Sequence, residues 1–188
     1  MVGKKLWDSF KLVSGMITPP TLPSDSKISG LQDFTFPLLD GSILRLKDMA
    51  GQVVLVVNTA SNCGFTPHYE KLEQLWQQYR QQGFLILGIP SNNFAGQEPD
   101  SNQHIANFCQ TNFHVTFPVT TKQEVTGQHA HLLYQWLYQQ LGKKGCPKWN
   151  FHKFLFDRHG HVRASWSALT NPANAVVRKK IEELLKEK

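Results

Sequence analysis

The 188-residue chain contains no apolar run of the roughly 18 residues needed to span a bilayer. Its opening, MVGKKLWDSFKLVSGMITPP, has early lysines but lacks the continuous apolar segment of a secretory signal. Asp8 and the absence of arginine argue equally against a transit peptide. Cysteine is scarce: Cys63, Cys109 and Cys146 are odd in number and too few for a secreted disulfide framework. A reducing, cytoplasmic setting is therefore expected, and no stable membrane insertion. Neither C-x-x-C nor H-E-x-x-H occurs, so no intrinsic dithiol and no common metal-ligand pair is present. His159 and His161 flank a turn and read as surface polar residues. Basic–aromatic motifs are missing too, which sets nucleic acid aside as a partner. No internal repeat or low-complexity tract is visible.

Hydrophobic residues make up 40% of the chain and charged residues 18%, enough for one ordinary core and far from a disordered composition. The net charge of +6 is uneven: residues 1–50 carry +1, 51–100 carry −2, 101–150 carry +3 and 151–188 carry +4. The surplus sits in GKKGCPK (142–148) and VRKKIEELLKEK (177–188). Such runs are either solvated faces or a surface that steers acidic small molecules, acidic proteins or an anionic membrane.

Residues 1–30 read as an extension, with a short amphipathic turn over Lys5–Lys11 and a tract, TPPTLPSDS (18–26), too rich in proline and serine for a core element. One domain is expected over 31–188. DFTFPLLDGSILRL (33–46) holds two apolar stretches joined by Asp40-Gly41, a hairpin signal. VVLVVNT (53–59) and FLILGIP (84–90) are continuous apolar runs, the pattern of strands covered on both faces. Between them Thr66-Pro67 reads as a helix cap with proline at the first helical position, followed by Tyr69, Leu72, Leu75, Trp76 and Tyr79 at helical spacing. The result is a βαβ unit with parallel strands. Ser101 caps a short helix over 101–110, and Gly142 ends another over 131–141. KFLFDRHGHVRAS (153–165) is a second hairpin turning at Arg158-His159-Gly160. Asn171-Pro172 opens a last helix whose inner face is Val176, Val177, Ile181, Leu184 and Leu185. The order implies an α/β, thioredoxin-like fold: a central mixed sheet flanked by helices, with an extra N-terminal β-hairpin.

Cys63 follows the first buried strand and precedes a helix start, the end of an open α/β sheet where sites collect. Unpaired N–H groups there stabilise negative charge on sulfur, the nucleophilic form. The competing reading is a small buried apolar thiol. In CGFT (63–66) threonine stands where a C-x-x-C motif has its second cysteine, so Cys63 has no partner within its own turn. A lone activated sulfur suits attack on a weak O–O bond to give a sulfenic acid, without excluding other electrophiles.

Three segments together, VNTASNCGFTPHYEKLE (57–73), LGIPSNNFAGQEP (87–99) and KWNFHKFLFDRHG (148–160), resemble the signature blocks of glutathione peroxidases, in order and within a similarity running from about Leu31 to Leu185. The resemblance implies a thioredoxin-like fold and a thiol peroxidase acting on hydrogen peroxide and organic or lipid hydroperoxides without a cofactor. Cys63 takes the peroxidatic place; Gln97, Trp149 and Asn150 take the places of the family's catalytic glutamine, tryptophan and asparagine. All three are uncharged donors that stabilise sulfur and the departing oxygen while leaving the site open to neutral hydroperoxides. Taken singly, Gln97 is an ordinary loop residue, Trp149 a core residue and Asn150 a turn former. An alternative from another class is a peroxide sensor or redox relay that passes a disulfide to a partner protein. A third is a thioredoxin-fold binding module without catalysis, which retention of these four residues argues against.

Many cysteine-containing members prefer thioredoxin to glutathione and carry a resolving cysteine in a helix after the GQEP block. IANFCQTNFHVTFP (105–118) resembles that segment and puts Cys109 in the resolving place, 46 positions after Cys63; otherwise Cys109 is a buried spacer. Disulfide formation then requires the helix to unwind. Two departures stand out: Ser91 where many relatives have cysteine, and Asn93 where the usual glutamine of NQF would be. Cys146 lies outside the common pattern and reads as passive, a glutathionylation site or a competing resolver. The segment between Gly142 and Lys148 is short, lacking the insertion of tetrameric glutathione-using members, so a monomer with an open face is expected. Lys143, Lys144 and Lys148 beside Trp149 are solvated loop charge or an orienting patch for an acidic thioredoxin or lipid head group.

Overall fold

In the computed structural model of the chain, residues 27–187 are described. Two runs of β-branched and aliphatic residues, β3 (Val53–Thr59) and β4 (Phe84–Pro90), are buried at every position and pair in parallel, Val53 opposite Phe84 through Thr59 opposite Pro90. Continuous apolar sequence is what a strand covered on both faces requires. On the other side of β3 runs β5 (Lys153–Phe156), antiparallel, and then the edge strand β6 (Val162–Trp166), giving the order β4-β3-β5-β6. The β5–β6 turn closes at Gly160, whose φ of 81° suits glycine.

Four helices cover this sheet: α1 (His68–Tyr79), α2 (Asn102–Phe113), α3 (Leu132–Leu141) and α4 (Ala175–Lys186). Strand alternation divides the core. Val53, Leu55 and Val57 face a layer built from Tyr69, Leu72 and Leu75 of α1, Ile105 and Cys109 of α2, and Val177, Ile181 and Leu184 of α4. Val54, Val56, Leu85 and Leu87 face the other layer, with Leu133, Trp136 and Leu137 of α3. That second layer also takes Phe36 and Leu44 from the expected N-terminal hairpin, β1 (Thr35–Pro37) and β2 (Ile43–Arg45), a separate two-stranded sheet. Its Asp40-Gly41 turn is closed by Asp40 Oδ1, which accepts from both the N–H and the hydroxyl of Ser42.

Three expectations shift. Helix α1 begins at His68, and Thr66 makes no cap; its hydroxyl is occupied within the preceding loop. The last helix begins at Ala175 rather than at Asn171-Pro172, because Asn171 closes a separate turn to Asn174, and Asn174 Oδ1 caps the helix through Val176 N–H. Val176, placed on the inner face by the sequence, is 53% exposed, since the buried stripe of α4 runs through Val177, Ile181 and Leu184 and leaves it about 100° to one side. The turn expected over Lys5–Lys11 and the proline-rich tract 18–26 lie outside the described residues, as does most of the extension 1–30. None of the helices described is long and apolar enough to cross a membrane.

Candidate active site

Beyond the carboxyl end of β3 the chain turns sharply through residues 60–67 before α1 starts. Thr66 holds that turn. Its hydroxyl donates to Ala60 O at 2.9 Å and accepts the Cys63 N–H at 3.1 Å. Threonine in the place of a second cysteine thus serves as a brace for the first. The Phe65 N–H points at Cys63 Sγ, 3.4 Å away, a donor suited to negative charge on sulfur. Cys63 is nearly buried and, like Cys109 and Cys146, a free thiol.

Hydrogen bonds join the loops that carry the four residues implied at the site. Asn62 N–H donates to Gln97 O at 3.0 Å, joining the Cys63 turn to the loop after β4. Asn150 Nδ2 donates to Gln97 Oε1 at 2.9 Å, joining that loop to the turn before β5. With its oxygen engaged, Gln97 has its amide N–H groups to offer. Asn150 is fully buried, whereas Trp149 is 37% exposed and leans on Phe94 with ring centroids 5.7 Å apart, so it is no core residue. Asn58, in β3, pins the same turn from below: Phe151 N–H donates to Asn58 O and Asn58 Nδ2 donates to Trp149 O at 3.1 Å. Phe151 itself adopts a left-handed φ of 63°, uncommon for a residue with a Cβ.

Cys109 occupies the middle of α2, buried on the layer that also holds Cys63. Burial first of all pushes its thiol up to about 11, so in this conformation it is a poor nucleophile. The Tyr69 hydroxyl, wholly buried, lies beside that thiol and the Thr59 hydroxyl without closing a hydrogen bond of ordinary geometry. A cavity of about 450 Å³ opens against Cys109 rather than Cys63, between α2, Leu38–Asp40 and residues 115–119. Cys146 is half-buried, its thiol raised by burial against the pull of Lys148.

The sequence reading passed over several groups that shape the site. Glu98, next to Gln97, is fully buried; burial raises its carboxyl, Ser61 Oγ donates to its Oε2 at 3.2 Å, and Lys122 Nζ is bound to its carbonyl. Asn58, Phe65 N–H and Lys153 carried no signal in composition or spacing. The departures Ser91 and Asn93 turn out to be partners: Ser91 Oγ, buried, donates to Asn93 Oδ1 at 2.9 Å, and that oxygen also accepts from Val125 N–H. Lys148 folds its ammonium onto Lys143 O at 3.0 Å, leaving Lys143 and Lys144 exposed beside it. Among the described residues no three His, Cys, Asp or Glu side chains converge as metal ligands would.

Known proteins are similar to this chain over most of its length. The family model described as glutathione peroxidase matches residues 31–138, more than half of the chain. A relative from Saccharomyces cerevisiae, glutathione peroxidase-like peroxiredoxin HYR1, is 48% identical over 151 residues, covering 78% of this chain and 91% of that protein. The hydroperoxy fatty acid reductase gpx1 of a Synechocystis species is 43% identical over 147 residues, 74% of this chain and 87% of that one. Among solved structures, Trgpx in apo form superposes with a TM-score of 0.68 at 38% identity, covering 86% of this chain and 98% of that chain. The mixed sheet, its helical layers and the added hairpin are the thioredoxin-like fold that the sequence implied.

Proposed function

The chain belongs to the glutathione peroxidase family and is a thiol peroxidase, and from that premise we propose that Cys63 is its peroxidatic residue, served by Gln97, Trp149 and Asn150 and resolved by Cys109. The observation that supports the reading is the run of hydrogen bonds from Asn62, next to Cys63, to the Gln97 carbonyl and from Asn150 to the Gln97 side chain, beyond the carboxyl end of β3. The Cys63 sulfur attacks the distal oxygen of a hydroperoxide; the S–O bond forms as O–O breaks. The departing alkoxide or hydroxide leaves as an alcohol or water after taking one proton, and donors around it lower its charge. Cys109 then displaces water from the sulfenic acid, giving a Cys63–Cys109 disulfide, and a dithiol reductant returns both thiols by exchange. The scheme uses no prosthetic group.

Thioredoxin is the reductant this reading favours over glutathione, because a dithiol reduces an intramolecular disulfide in one encounter where a monothiol needs two, and the relatives include peroxiredoxin-type members. Lipid hydroperoxides fall among the substrates, in line with the name of the Synechocystis relative and the exposed Trp149–Phe94 rim. The short Gly142–Lys148 connection fits a monomer, and the cysteine pattern a cytoplasmic setting. One observation favours the relay alternative: a buried thiol pushed up to about 11 resolves slowly, so a Cys63 sulfenic acid persists long enough to meet a partner protein. Consumption of reduced nicotinamide cofactor with an organic hydroperoxide separates these, regenerating electrons through thioredoxin in one reaction and glutathione in another. Turnover with thioredoxin alone is the expected result. Turnover with glutathione would demote Cys109 to a spacer, and oxidation of Cys63 without turnover in either would favour the relay.

A further inference from the structure

Lys153, the first residue of β5, is completely buried. Its register partner is Val57 of β3, and strand alternation sends it with Leu155 into the layer that holds Cys63, while Phe154 and Phe156 go to the other. Among the described residues no carboxylate pairs with it; its ammonium donates to the Phe151 carbonyl at 2.6 Å. An unpaired buried cation is costly, so a lysine in this place calls for a use. The bond it makes supplies one. Phe151 is the left-handed residue directly after Trp149 and Asn150, and a strained conformation persists only where its surroundings hold it. Asn58 grips the turn through Phe151 N–H and the Trp149 carbonyl, and Lys153 grips it through the Phe151 carbonyl.

We propose that Lys153 is a positioning residue for peroxide reduction: through the Phe151 carbonyl it holds the left-handed turn that presents Trp149 and Asn150 to the Cys63 sulfur. The inference rests on the assignment of those residues above. It adds a pH dependence. Burial pulls the Lys153 ammonium down to about 7, so near neutrality the charge-assisted bond to Phe151 gives way to a weaker one from the neutral amine. The groups that face it are His68 at the start of α1, His152 beside it in sequence and, next to His152, Lys148; Cys63 lies on the same layer. Both imidazoles are held down at about 4, by burial first and by the Lys153 charge second, and so stay neutral through the range that matters.

The test is the rate of Cys63 oxidation by hydrogen peroxide between pH 6 and pH 9, with Tm, for the wild type, Lys153→Met and Lys153→Gln. Misplacing reacting groups by a fraction of an ångström is enough for a fall of about tenfold or more in Lys153→Met at pH 6, while its Tm holds or rises because an unpaired charge has been removed. Lys153→Gln, a neutral donor, should restore part of the rate, and the wild type-to-Gln ratio should climb as pH falls through 7 and level off near one at pH 9. Wild-type rates in Lys153→Met, or a loss matched by a lowered Tm with an unchanged pH profile, would overturn the proposal. Should Lys153→Met not fold, a wild type-to-Gln ratio that is flat with pH does the same. Absence of Cys63 oxidation in the wild type is a different result and removes the assignment of Cys63 beneath it.

Discussion

The two cysteines assigned to the cycle share one core layer yet live under opposite constraints. Cys63 sits on a loop that is locked: Thr66 braces it, Phe65 N–H meets its sulfur, and Asn62 ties it to Gln97. Helix α1, which follows, buries five of its twelve residues. Cys109 sits in regular secondary structure, but α2 buries only Ile105 and Cys109 along the same length, and a cavity of about 450 Å³ adjoins it. At its end His114 takes a left-handed φ of 50°, which costs a residue with a Cβ about 1–2 kcal/mol. An irregular loop can therefore be the rigid partner and a helix the releasable one. Reactivity is preorganised where hydrogen bonds converge, and stored where a thiol is merely covered.

Exchanging each thiol for a hydroxyl breaks the comparison most severely. Cys63→Ser is expected to abolish sulfenic acid formation, whereas Cys109→Ser should consume one equivalent of peroxide per chain and then stop, as read by mass spectrometry and the coupled assay. Equal peroxide reactivity in Cys63→Ser would dissolve the distinction altogether.

A pair of hydroxyl deletions should sharpen it. In Thr66→Val the Cys63 N–H and the Ala60 carbonyl lose a buried partner, at about 1–3 kcal/mol in denaturant titration, with slower peroxide reduction. Tyr69→Phe removes a buried hydroxyl that closes no ordinary hydrogen bond, so its stability should match or exceed the wild type.

Alkali probes the Cys109 side. The folded thiol lies near 11 against an ordinary 9.0, so the docked helix binds a proton that the opened one has released. That stabilisation is complete below pH 9 and is lost as pH rises through about 11, up to tenfold in the opening equilibrium for each unit. Limited proteolysis of α2 should therefore quicken over this window in the wild type, and less so in Cys109→Ala. The smallest effect belongs to Val176→Lys: an exposed position at the start of α4 should change stability by no more than about 0.5 kcal/mol.

Legibility followed burial and local chemistry. β3 and β4 were readable because strands covered on both faces must be continuously apolar, and both hairpins because Asp40-Gly41 and Gly160 announce their turns. Ser101 announced α2, accepting from His104 N–H as a cap should. The start of α4 was misplaced because Asn171 and Asn174 offer the same local signal and only packing selects the second. Within the site, the strand ends that lead to Cys63 and Gln97 were legible for the same reason as β3 and β4 themselves. Lys153 and Glu98 were not, since charged residues ordinarily mark a surface and nothing local reports that these two are covered.

By itself the sequence determined the βαβ frame, the solitary cysteine at its edge and the threonine in place of a second one, because periodicity, turn residues and the absence of a dithiol are local properties. Tertiary structure decided the rest: that Thr66 braces Cys63 rather than capping a helix, that Ser91 pairs with Asn93, that Cys109 is buried on a helix with little other buried surface, and that a buried lysine donates to the carbonyl of a left-handed phenylalanine. Each of these depends on which groups meet after the sheet and its layers close, and on how much water that closure removes.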